Sequence, residues 1–475
     1  MNNKKMSFLG DQEKVYDEVV GFLQNKEYGI GLIKGAAGFG KTVLVGMVIE
    51  YLVKAEYGTI GMLAPTGQAV RVCRNSIGVN STAIKYGTIH SAFAMFPKKD
   101  SEVLKFVQQK GRKIWAYDCD ILIVDKVSQL EDKLFFYIQE YAEKKNTKII
   151  FVGDKFQIPP IGQEYSIPFS KNEVKEYNII EFELTKPIRQ LQGNPILNNA
   201  DFIRENINTS GKLYLPEDRF DEKNALNQSV VFHSTKGLDV TKLVKEWFLS
   251  DKYKNNTLYI KVITYRRSTA AKWNTLIRKI LYGDLQDNIV DIRSGDIKKI
   301  VIGERLILRK PLVEKSEIGE DRPILRGNEE LKVLSFEMDT YDVDGTGSYK
   351  IKYYDTVISY INEFGNKDTQ SVKIVHEDSE RIYEDVKNLL AKSANAARKG
   401  SVEHRMYWDE FWGFVGLFAD VGYDYARTCH TAEGSTYKNT IVLEWDILVN
   451  FNILERNRIL YVGCTRATDN VIQIY

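Results

Sequence analysis

The stretch Gly35-Ala36-Ala37-Gly38-Phe39-Gly40-Lys41-Thr42 fits the pattern G-x-x-x-x-G-K-[ST], which is typical of a phosphate-binding loop. Residues 30–34 before it form a short apolar run bounded by glycine, which predicts a buried strand. Residues 43–55 after it carry apolar residues at helical spacing and predict a helix. A strand, a glycine-rich loop and a helix in this order favour a true nucleotide-binding α/β unit over a chance match in a glycine-rich turn.

The chemistry of this loop follows from its residue types. Glycines let successive backbone N–H groups curve around phosphate oxygens, and the N-terminus of the following helix adds a favourable field. Lys41 is expected to reach the β- and γ-phosphates of ATP, and Thr42 is expected to place its hydroxyl on Mg²⁺. The sequence therefore predicts binding of a nucleoside triphosphate together with magnesium.

Length and composition set limits on the rest of the chain. The chain has 475 residues, and a length of this order suggests about three domains. Its net charge of +2 gives no global basic character, so nucleic-acid binding has to come from local patches. The four cysteines lack C-x-x-C spacing, which argues against zinc and disulfides and fits a reducing cytosol. No signal peptide and no membrane-spanning apolar run are visible, so no membrane contact is expected.

Polar residues follow the predicted strands at their carboxyl ends, where an open parallel sheet binds its ligand. Thr66 and His90 come after two such strands, although a hydroxyl or imidazole in a turn is more often a helix cap. Asp125 ends the apolar run that starts at residue 120, in the arrangement of a Walker B acid that holds Mg²⁺. Asp154 and Gln157 follow a further strand and are placed to sense a γ-phosphate or a nucleic-acid strand.

Two regions interrupt the alternation of helices and strands. Residues 92–117 are short, basic and aromatic, and they predict a small inserted subdomain. Residues 290–420 show short alternating runs, a charged helix and an aromatic cluster, which predicts a mostly β module with a helical decoration. The α/β alternation covers residues 8–169, begins again near residue 182 and returns at 423–475.

An ordered set of motifs along the chain carries a resemblance to a known family. The set comprises Gln12, the loop 35–42, Leu63-Ala64-Pro65-Thr66, Thr88-Ile89-His90, the strand tip at Asp125, Gly153-Asp154-x-x-Gln157, the segment from Leu184 to Arg189-Gln190, Thr428-Cys429-His430-Thr431-Ala432-Glu433-Gly434-Ser435 and Leu460-Tyr461-Val462-Gly463-Cys464-Thr465-Arg466-Ala467. The chain resembles superfamily 1 helicases, and among them the RecD-like and phage Dda-type subgroup B that moves 5′ to 3′. The resemblance covers nearly all of the chain, and its last two motifs are highly specific.

The resemblance implies an α/β fold with two RecA-like P-loop domains in tandem, a small inserted pin subdomain and an inserted β-barrel-like module. It places RecA-like domain 1A at 1–91 and 118–180, and pin subdomain 1B at 92–117. RecA-like domain 2A would comprise 181–289 and 421–475. An SH3-like β-barrel module 2B with a helical arm would fill 290–420. The pin would split the duplex, and the arm would brace the pin.

The resemblance also implies where ATP and Mg²⁺ bind, in the cleft between the two RecA-like domains. Gln12 would hydrogen-bond the adenine edge. The triphosphate would lie on Gly35, Ala36, Ala37, Gly38, Phe39, Gly40, Lys41 and Thr42. Thr42 and Asp125 would hold Mg²⁺, and Gln157 would sense the γ-phosphate.

Residues of the second domain are expected to complete this site. Arg189 and Arg466 would act as arginine fingers that stabilise charge on the transferring phosphoryl group. Their arrival depends on closure of the two domains, so that chemistry and motion are coupled. Glu433 and Gly434 would link the nucleotide cleft to the track of the bound strand.

Single-stranded DNA would lie across the tops of both domains. The candidate contacts are Thr66, His90, Thr428 and His430 for the strand backbone, and Phe96 and Trp273 for base stacking. Core packing is the competing interpretation for each ring. The expected partners are single-stranded DNA and duplex/single-strand junctions, with single-strand-binding protein or other replication proteins. A monomer in the cytoplasm of a bacterial or phage-infected cell is expected.

Two positions depart from the family pattern. Lys126 stands where the family has a glutamate that orients and deprotonates the attacking water. A lysine is a cation at neutral pH and cannot accept that proton. We therefore expect either an ATPase that binds nucleotide and hydrolyses it slowly, or a site in which a nearby carboxylate or Gln157 orients the water. Thr431 stands where the family often has a lysine, so one phosphate or acid contact is expected to be missing.

Several functions remain compatible with the sequence. The first is an ATP-dependent 5′–3′ DNA helicase of phage or bacterial replication or recombination. The second is an ATP-gated clamp on single-stranded DNA that does not hydrolyse ATP, an alternative that Lys126 supports. The others are an RNA helicase of the same superfamily and a RecD-type subunit of a nuclease complex. The chain shows no acidic cluster typical of a nuclease, so cleavage by the chain itself is not expected.

Overall fold

A computed structural model describes residues 8–25, 27–98, 101–102, 105–108, 111–160, 162–187, 193–209, 213–214, 218–256, 258–283, 299–315, 321–325, 327–343, 345, 349–362 and 366–475. The chain divides into two compact units. Unit 1 comprises the described residues within Met1–Ala94, Gly111–Trp273 and Ala426–Tyr475. Unit 2 comprises those within Met95–Lys110 and Asn274–Tyr425.

The strands of unit 1 are short, with two to eight residues each, and unit 2 also contains longer strands of up to 13 residues. In chain order they are β1 (Ile30–Lys34), β2 (Ile60–Ala64), β3 (Ile84–Thr88), β4 (Met95–Lys98), β5 (Lys105–Gln108), β6 (Ile121–Asp125), β7 (Lys148–Gly153), β8 (Ile180–Glu183), β9 (Glu222–Lys223), β10 (Ser229–His233), β11 (Ile260–Thr264), β12 (Arg305–Leu308), β13 (Leu312–Lys315), β14 (Asp321–Leu325), β15 (Glu330–Asp342), β16 (Lys350–Ile361), β17 (Lys367–Val375), β18 (Val421–Tyr423), β19 (Ala426–Thr428), β20 (Tyr437–Leu443) and β21 (Ala467–Ile474).

Helices alternate with the strands of unit 1 and form the arm of unit 2. In chain order they are α1 (Gln12–Gln24), α2 (Lys41–Lys54), α3 (Gly67–Ile77), α4 (Ile89–Ala92), α5 (Asp132–Lys145), α6 (Lys171–Glu176), α7 (Pro195–Glu205), α8 (Val240–Phe248), α9 (Asp251–Asn255), α10 (Arg267–Tyr282), α11 (Glu380–Ala396), α12 (Val402–Gly416), α13 (Cys429–Ala432), α14 (Glu444–Ile447) and α15 (Ile453–Cys464).

The first sheet of unit 1 has six parallel strands in the order β3-β2-β6-β7-β1-β8. Strands such as β6 and β7 are buried along their whole length. Their continuous apolar sequences suit parallel strands that helices cover on both faces. We call this sheet with α1–α6 lobe 1.

The edge strand β8 corrects one predicted boundary. It pairs with β1 from Gly31↔Ile180 to Lys34↔Glu183. Phe182, its inward residue, is buried in the core of lobe 1, and its ring centroid lies 5.7 Å from that of Phe22. The boundary predicted at residue 180 therefore falls inside a strand of the first sheet, because the segment at 180–184, in which apolar and acidic residues alternate, completes lobe 1 as its edge strand.

The second sheet of unit 1 has the order β19-β11-β20-β21-β10-β9. Its neighbours pair in parallel except β9, which pairs antiparallel with β10. Helices α7 and α15 pack on this sheet through Ile203, Ile459 and Val462, which are fully buried. We call this sheet with α7–α9 and α13–α15 lobe 2. Unit 1 thus contains two parallel α/β lobes, as predicted from the sequence.

Helix α1 shows how local patterning builds lobe 1. Val15, Val19 and Leu23 recur every four residues and are at most 2% exposed, which places them on one buried helical face. Asp11 occupies the N-cap position without capping the helix. Its Oδ2 instead accepts hydrogen bonds from the Thr185 backbone N at 2.6 Å and from Thr185 Oγ1 at 2.7 Å. The carboxylate of Asp11 therefore ties α1 to the segment after β8 and does not cap the helix.

Unit 2 contains a five-stranded antiparallel sheet in the order β17-β16-β15-β12-β18. Among the described strands, β17 and β18 remain its edges, so a closed barrel is not confirmed. The arm helices α11 and α12 pack together around Ala394, Trp408 and Phe411. The β4–β5 hairpin also belongs to unit 2. Trp412 of α12 donates its Nε1–H to the backbone oxygen of Ser101, between the two hairpin strands, at 3.2 Å.

The cysteines form no cross-link. Cys73, Cys119, Cys429 and Cys464 are all buried and unpaired. Within the ranges that the structure describes, no helix is both long and apolar enough to cross a membrane.

Candidate nucleotide site and nucleic-acid interface

The predicted nucleotide-binding residues converge on the carboxyl edge of the first sheet. Lys34, at the end of β1, pairs with Gly153 of β7. Asp125, at the end of β6, pairs with Val152 of β7. The glycine-rich loop, Asp125 and the segment from Asp154 to Gln157 therefore begin side by side, at the edge where open α/β sheets bind their ligands.

The glycine-rich loop has the backbone that its sequence predicts. Gly38 and Gly40 have φ of +85° and +78°, a region that residues with a side chain rarely adopt. The loop leads into the first turn of α2, which begins at Lys41. Lys41 Nζ donates to the backbone oxygens of Gly35 and Ala36 at 2.7 and 2.9 Å. Its ammonium group thus lies inside the loop that would hold the phosphates.

Gln12 contacts the same loop from α1. Its side chain is fully buried, Nε2 donates to the Gly40 oxygen at 3.1 Å, and Oε1 accepts from the Leu9 backbone N at 3.1 Å. The structure therefore joins Gln12 to the phosphate-binding loop across 28 residues of sequence. Its predicted contact with adenine stays a prediction.

Asp125 is 7% exposed, and both carboxylate oxygens accept hydrogen bonds. Oδ1 accepts from the Lys126 backbone N at 2.8 Å, and Oδ2 accepts from the Cys73 thiol at 3.1 Å. Burial, followed by the charge of Asp125, raises the pKa of the Cys73 thiol, so the thiol stays protonated as a donor. These bonds fix the carboxylate at the strand tip.

The residues present at this tip fit magnesium. Asp125 supplies a carboxylate and Thr42, in the first turn of α2, supplies a hydroxyl. In the described part of the chain, no group of three or more His, Cys, Asp or Glu is placed to hold a metal. Mg²⁺ prefers oxygen ligands and usually takes only one or two carboxylates, with water and substrate phosphates for the rest.

Lys126 adopts an unusual backbone conformation beside this site. Its φ is +61° and its ψ is 38°, in the left-handed region, which is uncommon for a residue with a side chain. The residue leads into a single helical turn at Val127–Gln129. Strained backbone of this kind clusters at functional sites. Lys126, which stands where the family has a glutamate, therefore lies at a point of the cleft with an unusual backbone conformation.

Asp154 connects the two lobes. Its Oδ2 accepts from the Tyr461 hydroxyl of α15 at 2.9 Å, and the same hydroxyl accepts from the Ala37 backbone N at 2.8 Å. Its Oδ1 accepts from the Phe156 backbone N at 3.0 Å. Gln157 Nε2 approaches Oδ2 at 3.4 Å. A lobe 2 phenol therefore bridges the phosphate-binding loop and the tip of β7.

Arg466 and Glu433 lie in the same cleft from lobe 2. Arg466 is 6% exposed and donates to the backbone oxygens of Val462 and Ser435 at 3.0 and 3.3 Å. Glu433 follows α13 and is 9% exposed. Burial raises the pKa of Glu433 to about 7, against the opposing effects of Arg466, Gln129 and Lys126. Gly434 follows with a φ of +86°. The predicted finger Arg189 lies outside the described residues.

Two predicted DNA contacts lie side by side in lobe 1. The paired ends of β2 and β3, Ala64 and Thr88, lead directly to Thr66 and His90. Thr66 Oγ1 caps α3 by accepting from the Ala69 backbone N at 3.2 Å. His90 lies on α4, and burial lowers its pKa, with Glu131 opposing the shift. Its imidazole is therefore mostly neutral at pH 7.

The corresponding contacts of lobe 2 follow β19. Thr428 is 8% exposed, and its carbonyl oxygen accepts from Thr431 Oγ1 at 2.9 Å. Thr431 thus closes the first turn of α13 in place of a long basic side chain. Burial lowers the pKa of His430, and its Nε2 lies 3.9 Å from Oε1 of Glu455.

The two predicted stacking rings differ in their surroundings. Phe96 lies on β4 of the hairpin and is partly exposed. Trp273 lies on α10 and is only 8% exposed. Its ring is part of the core in this structure, in agreement with the competing interpretation, and stacking by Trp273 stays a prediction that needs the ring to become exposed.

Comparisons with known proteins agree with this architecture. A family model described as an AAA domain matches residues 23–163, and a model described as the Dda helicase SH3 domain matches residues 297–422. The ATP-dependent DNA helicase dda of Enterobacteria phage T4 is 24% identical over 477 residues, covering 98% of each chain. Uncharacterized protein R530 of Acanthamoeba polyphaga mimivirus is 21% identical over 518 residues, covering 98% of this chain and 99% of that protein.

A solved structure shares the fold over almost the whole chain. The Pif1 helicase from Bacteroides, in complex with ADP-AlF3 and ssDNA, aligns with a TM-score of 0.50 at 14% identity and covers 99% of this chain and 92% of that one. Two family models and a relative matched over nearly its full length thus support the resemblance to superfamily 1B helicases of the Dda type. These matches confirm the resemblance that the motifs indicate. The solved structure confirms the two-lobe α/β fold.

Sequence reasoning missed two residues of this helicase site. Tyr461 belongs to the motif at residues 460–467, but no sequence pattern predicts that its hydroxyl bridges Ala37 and Asp154. Cys73 gave no recognisable signal, because a lone cysteine on a predicted helix is usually a small core residue. Both became visible only when the fold placed them within hydrogen-bonding distance of distant residues.

Proposed function

We propose that the chain is an ATP-driven motor that moves 5′ to 3′ along single-stranded DNA and unwinds duplexes. The bridge from Tyr461 to Ala37 and Asp154 carries this proposal, because it makes the phosphate-binding loop part of both lobes. A change at the phosphates then alters the contact between lobes, which is the requirement for coupling hydrolysis to movement. The match to the Dda helicase SH3 model and the names of two similar proteins, the ATP-dependent DNA helicase dda and a Pif1 helicase, support the same activity.

The nucleotide-binding roles follow from the cleft geometry. The loop 35–42 holds the triphosphate, and Gln12, fixed against Gly40, contacts the adenine. Thr42 and Asp125 hold Mg²⁺, which neutralises charge on the phosphates when bound. Gln157 senses the γ-phosphate from the tip of β7.

The fingers and the link to DNA complete the motor. Arg466 stabilises the transition-state charge after exchanging its bonds to Val462 and Ser435, and Arg189 acts with it. Glu433 and Gly434 connect this cleft to α13, which carries the DNA-contacting His430.

The DNA track runs over the carboxyl edges of both sheets. Thr66 and His90 contact the strand backbone from lobe 1, and Thr428 and His430 contact it from lobe 2. Phe96 of the hairpin stacks on bases as part of a pin, and Trp273 joins it only if its ring becomes exposed. The domain limits proposed for this arrangement are those of 1A, 1B, 2A and 2B, with lobe 1 extended to the end of β8.

Lys126 is expected to lower the rate of ATP hydrolysis. A glutamate at this position would accept a proton from water, and an ammonium group has no lone pair with which to do so. Hydrolysis is therefore slower than with a glutamate at position 126. The second candidate function, a non-hydrolysing ATP-gated clamp on single-stranded DNA, rests on this same residue. Measuring DNA-stimulated ATP hydrolysis beside Lys126→Glu separates the two, and equal rates would show that Lys126 does not limit turnover.

The motor is tested with matched forked duplexes of DNA and RNA that carry either a 5′ or a 3′ single-stranded tail. ATP-dependent strand separation confined to 5′-tailed DNA is expected. Preference for the 3′ tail would refute the polarity, and unwinding of RNA alone would favour the RNA-helicase alternative. Size-exclusion chromatography with light scattering, with and without a single-strand-binding protein, tests the proposed monomer and that partner in the same preparation.

A further inference from the structure

An ATPase site without a glutamate at position 126 needs another proton acceptor. Hydrolysis requires a group that positions the attacking water and takes its proton, and this group has to lie at the γ-phosphate side of the cleft. Three carboxylates of the described residues are candidates: Asp125 at the tip of β6, Asp154 after β7, and Glu433 after α13, whose charge interacts with Lys126 and Asp154. Their hydrogen bonds decide which of them is available.

Two of these carboxylates are already engaged. Asp125 accepts from the Lys126 backbone N and the Cys73 thiol, one bond on each oxygen. Asp154 accepts from the Phe156 backbone N on Oδ1 and from the Tyr461 hydroxyl on Oδ2. A proton delivered to either group would compete with bonds that hold the strand tips and the lobes in place.

Glu433 differs from both. It is 9% exposed, and both carboxylate oxygens are out of contact with solvent. Neither oxygen has a well-formed hydrogen bond to the described residues, and the side chain of Gln129 approaches the carboxylate as a donor from lobe 1. A buried carboxylate without hydrogen bonds is costly, so such groups usually have a functional reason. The charged groups that shift the pKa of Glu433 come from both lobes: Arg466 from lobe 2, and Lys126 and Asp154 from lobe 1. The thiol of Cys429, at the start of α13 and four residues earlier, is also close enough to interact with this charge.

We infer that Glu433 is the general base for ATP hydrolysis, acting across the cleft in place of a carboxylate at position 126. The inference rests on the proposed function. In the step, the water oxygen forms a bond to the γ-phosphorus while one of its protons passes to a carboxylate oxygen of Glu433. The bond between the γ-phosphorus and the bridging oxygen breaks, and its electron pair leaves with ADP.

The surroundings of Glu433 suit this role. Burial raises the pKa of Glu433 to about 7, and a base is most effective when its pKa lies near the working pH. Lys126 and Arg466 favour the charged form, while Asp154 opposes it. Lys126, at the position where the family has its base, therefore favours the charged form of Glu433 that can accept a proton. Because Glu433 belongs to lobe 2 and the phosphate-binding loop to lobe 1, proton transfer is competent only when the lobes are closed on each other.

Three variants of the full chain test the assignment: Glu433→Gln, Lys126→Glu and the double variant. Hydrolysis is measured in single turnovers at saturating ATP, Mg²⁺ and single-stranded DNA. Affinity for a fluorescent ATP analogue, which does not depend on turnover, reports whether the site is intact. Glu433→Gln should lower the single-turnover rate by about a hundredfold or more and leave affinity within about threefold. In the Lys126→Glu background, the same change should alter the rate by less than about threefold.

The pH profile gives a separate check. The rate of the unmodified chain should rise with pH through about 7 as Glu433 loses its proton, and this limb should be absent in Glu433→Gln. A normal rate in Glu433→Gln overturns the inference. Equal losses in both backgrounds also overturn it, because Glu433 would then only position Arg466. Activity confined to the Lys126→Glu chain overturns it as well, and no hydrolysis by any chain refutes the proposed motor itself.

Discussion

The hydroxyl of Tyr461 lies 2.9 Å from Oδ2 of Asp154, and it also accepts a hydrogen bond from the Ala37 backbone N. One phenol thus connects α15 of lobe 2 with the phosphate-binding loop and the tip of β7 in lobe 1. Tyr461 is 1% exposed, and burial holds the pKa of its phenol well above the usual range. The phenol therefore remains a donor at all working pH values.

Replacing Tyr461 by phenylalanine should weaken the connection between the lobes. The change removes one hydroxyl from a buried network, and an unmet buried partner costs about 1–3 kcal/mol. We expect a lower melting temperature and a smaller stimulation of ATP hydrolysis by single-stranded DNA. Tyr407→Phe, at a side chain that is 41% exposed on α12, is the matched control. Unchanged DNA stimulation in Tyr461→Phe would show that the bridge does not couple the lobes.

Replacing Glu433 by glutamine should stabilise the protein above neutral pH. The folded-state pKa of Glu433 is about 7 against an ordinary value of 4.5. Its contribution to stability is therefore fully present below pH 4.5 and is lost as pH rises through about 7. Glutamine cannot ionise, so at pH 8 the variant should be more stable by about 1–3 kcal/mol. Melting temperatures between pH 5 and 8 check this, and a constant difference between the two chains would contradict it.

Replacing Gln12 by alanine should affect both the loop and nucleotide selectivity. The variant loses the bond to the Gly40 oxygen, which then keeps only the Leu44 backbone N–H as a donor, so a less well fixed loop and weaker ATP binding are expected. If the amide also contacts adenine, the affinity for ATP should fall by about tenfold more than the affinity for GTP. Competition titrations with both nucleotides measure the ratio. An equal fall for ATP and GTP would leave Gln12 with a purely structural role.

Replacing Trp412 by phenylalanine should impair unwinding more than translocation. The indole Nε1–H donates to the Ser101 oxygen of the hairpin, and phenylalanine keeps most of the ring packing without that bond. One hydrogen bond of about 1 kcal/mol corresponds to a decrease of about fivefold in duplex unwinding. ATP hydrolysis on single-stranded DNA should stay unchanged. Tyr407→Phe on the same helix serves as control, and an equal loss of both activities would contradict a bracing role.

The sequence predicted the parts of this fold that depend on local patterning. The apolar runs of β6 and β7 predict buried strands, and both strands are buried. The glycines at 38 and 40 predict a loop with positive φ, and both residues have it. The boundary predicted near residue 180 is wrong because β8, with one buried residue among four, has the pattern of an edge strand that could belong to either lobe. Only pairing with β1 decides between them, and pairing depends on tertiary structure.

The candidate site was predicted where motifs fix both residue type and strand tip. Lys41, Asp125 and Gln157 lie close together because the carboxyl ends of parallel strands in one sheet share an edge, and Glu433 approaches them from the second sheet. The partners of these groups were not predictable. The Cys73–Asp125 bond spans 52 residues and the Tyr461–Asp154 bond spans 307, and neither spacing has a sequence signature.

The four buried cysteines have a practical consequence for following the motor at work. A thiolate is the reactive species, and burial raises the pKa of all four thiols, so none should react readily with maleimide dyes. Single cysteines introduced at Lys14 of α1 and Asp251 of α9, with side chains 79% and 90% exposed, would carry the only reactive labels. Fluorescence energy transfer between them would report opening and closing of the two lobes in single molecules that retain every native residue of the cleft.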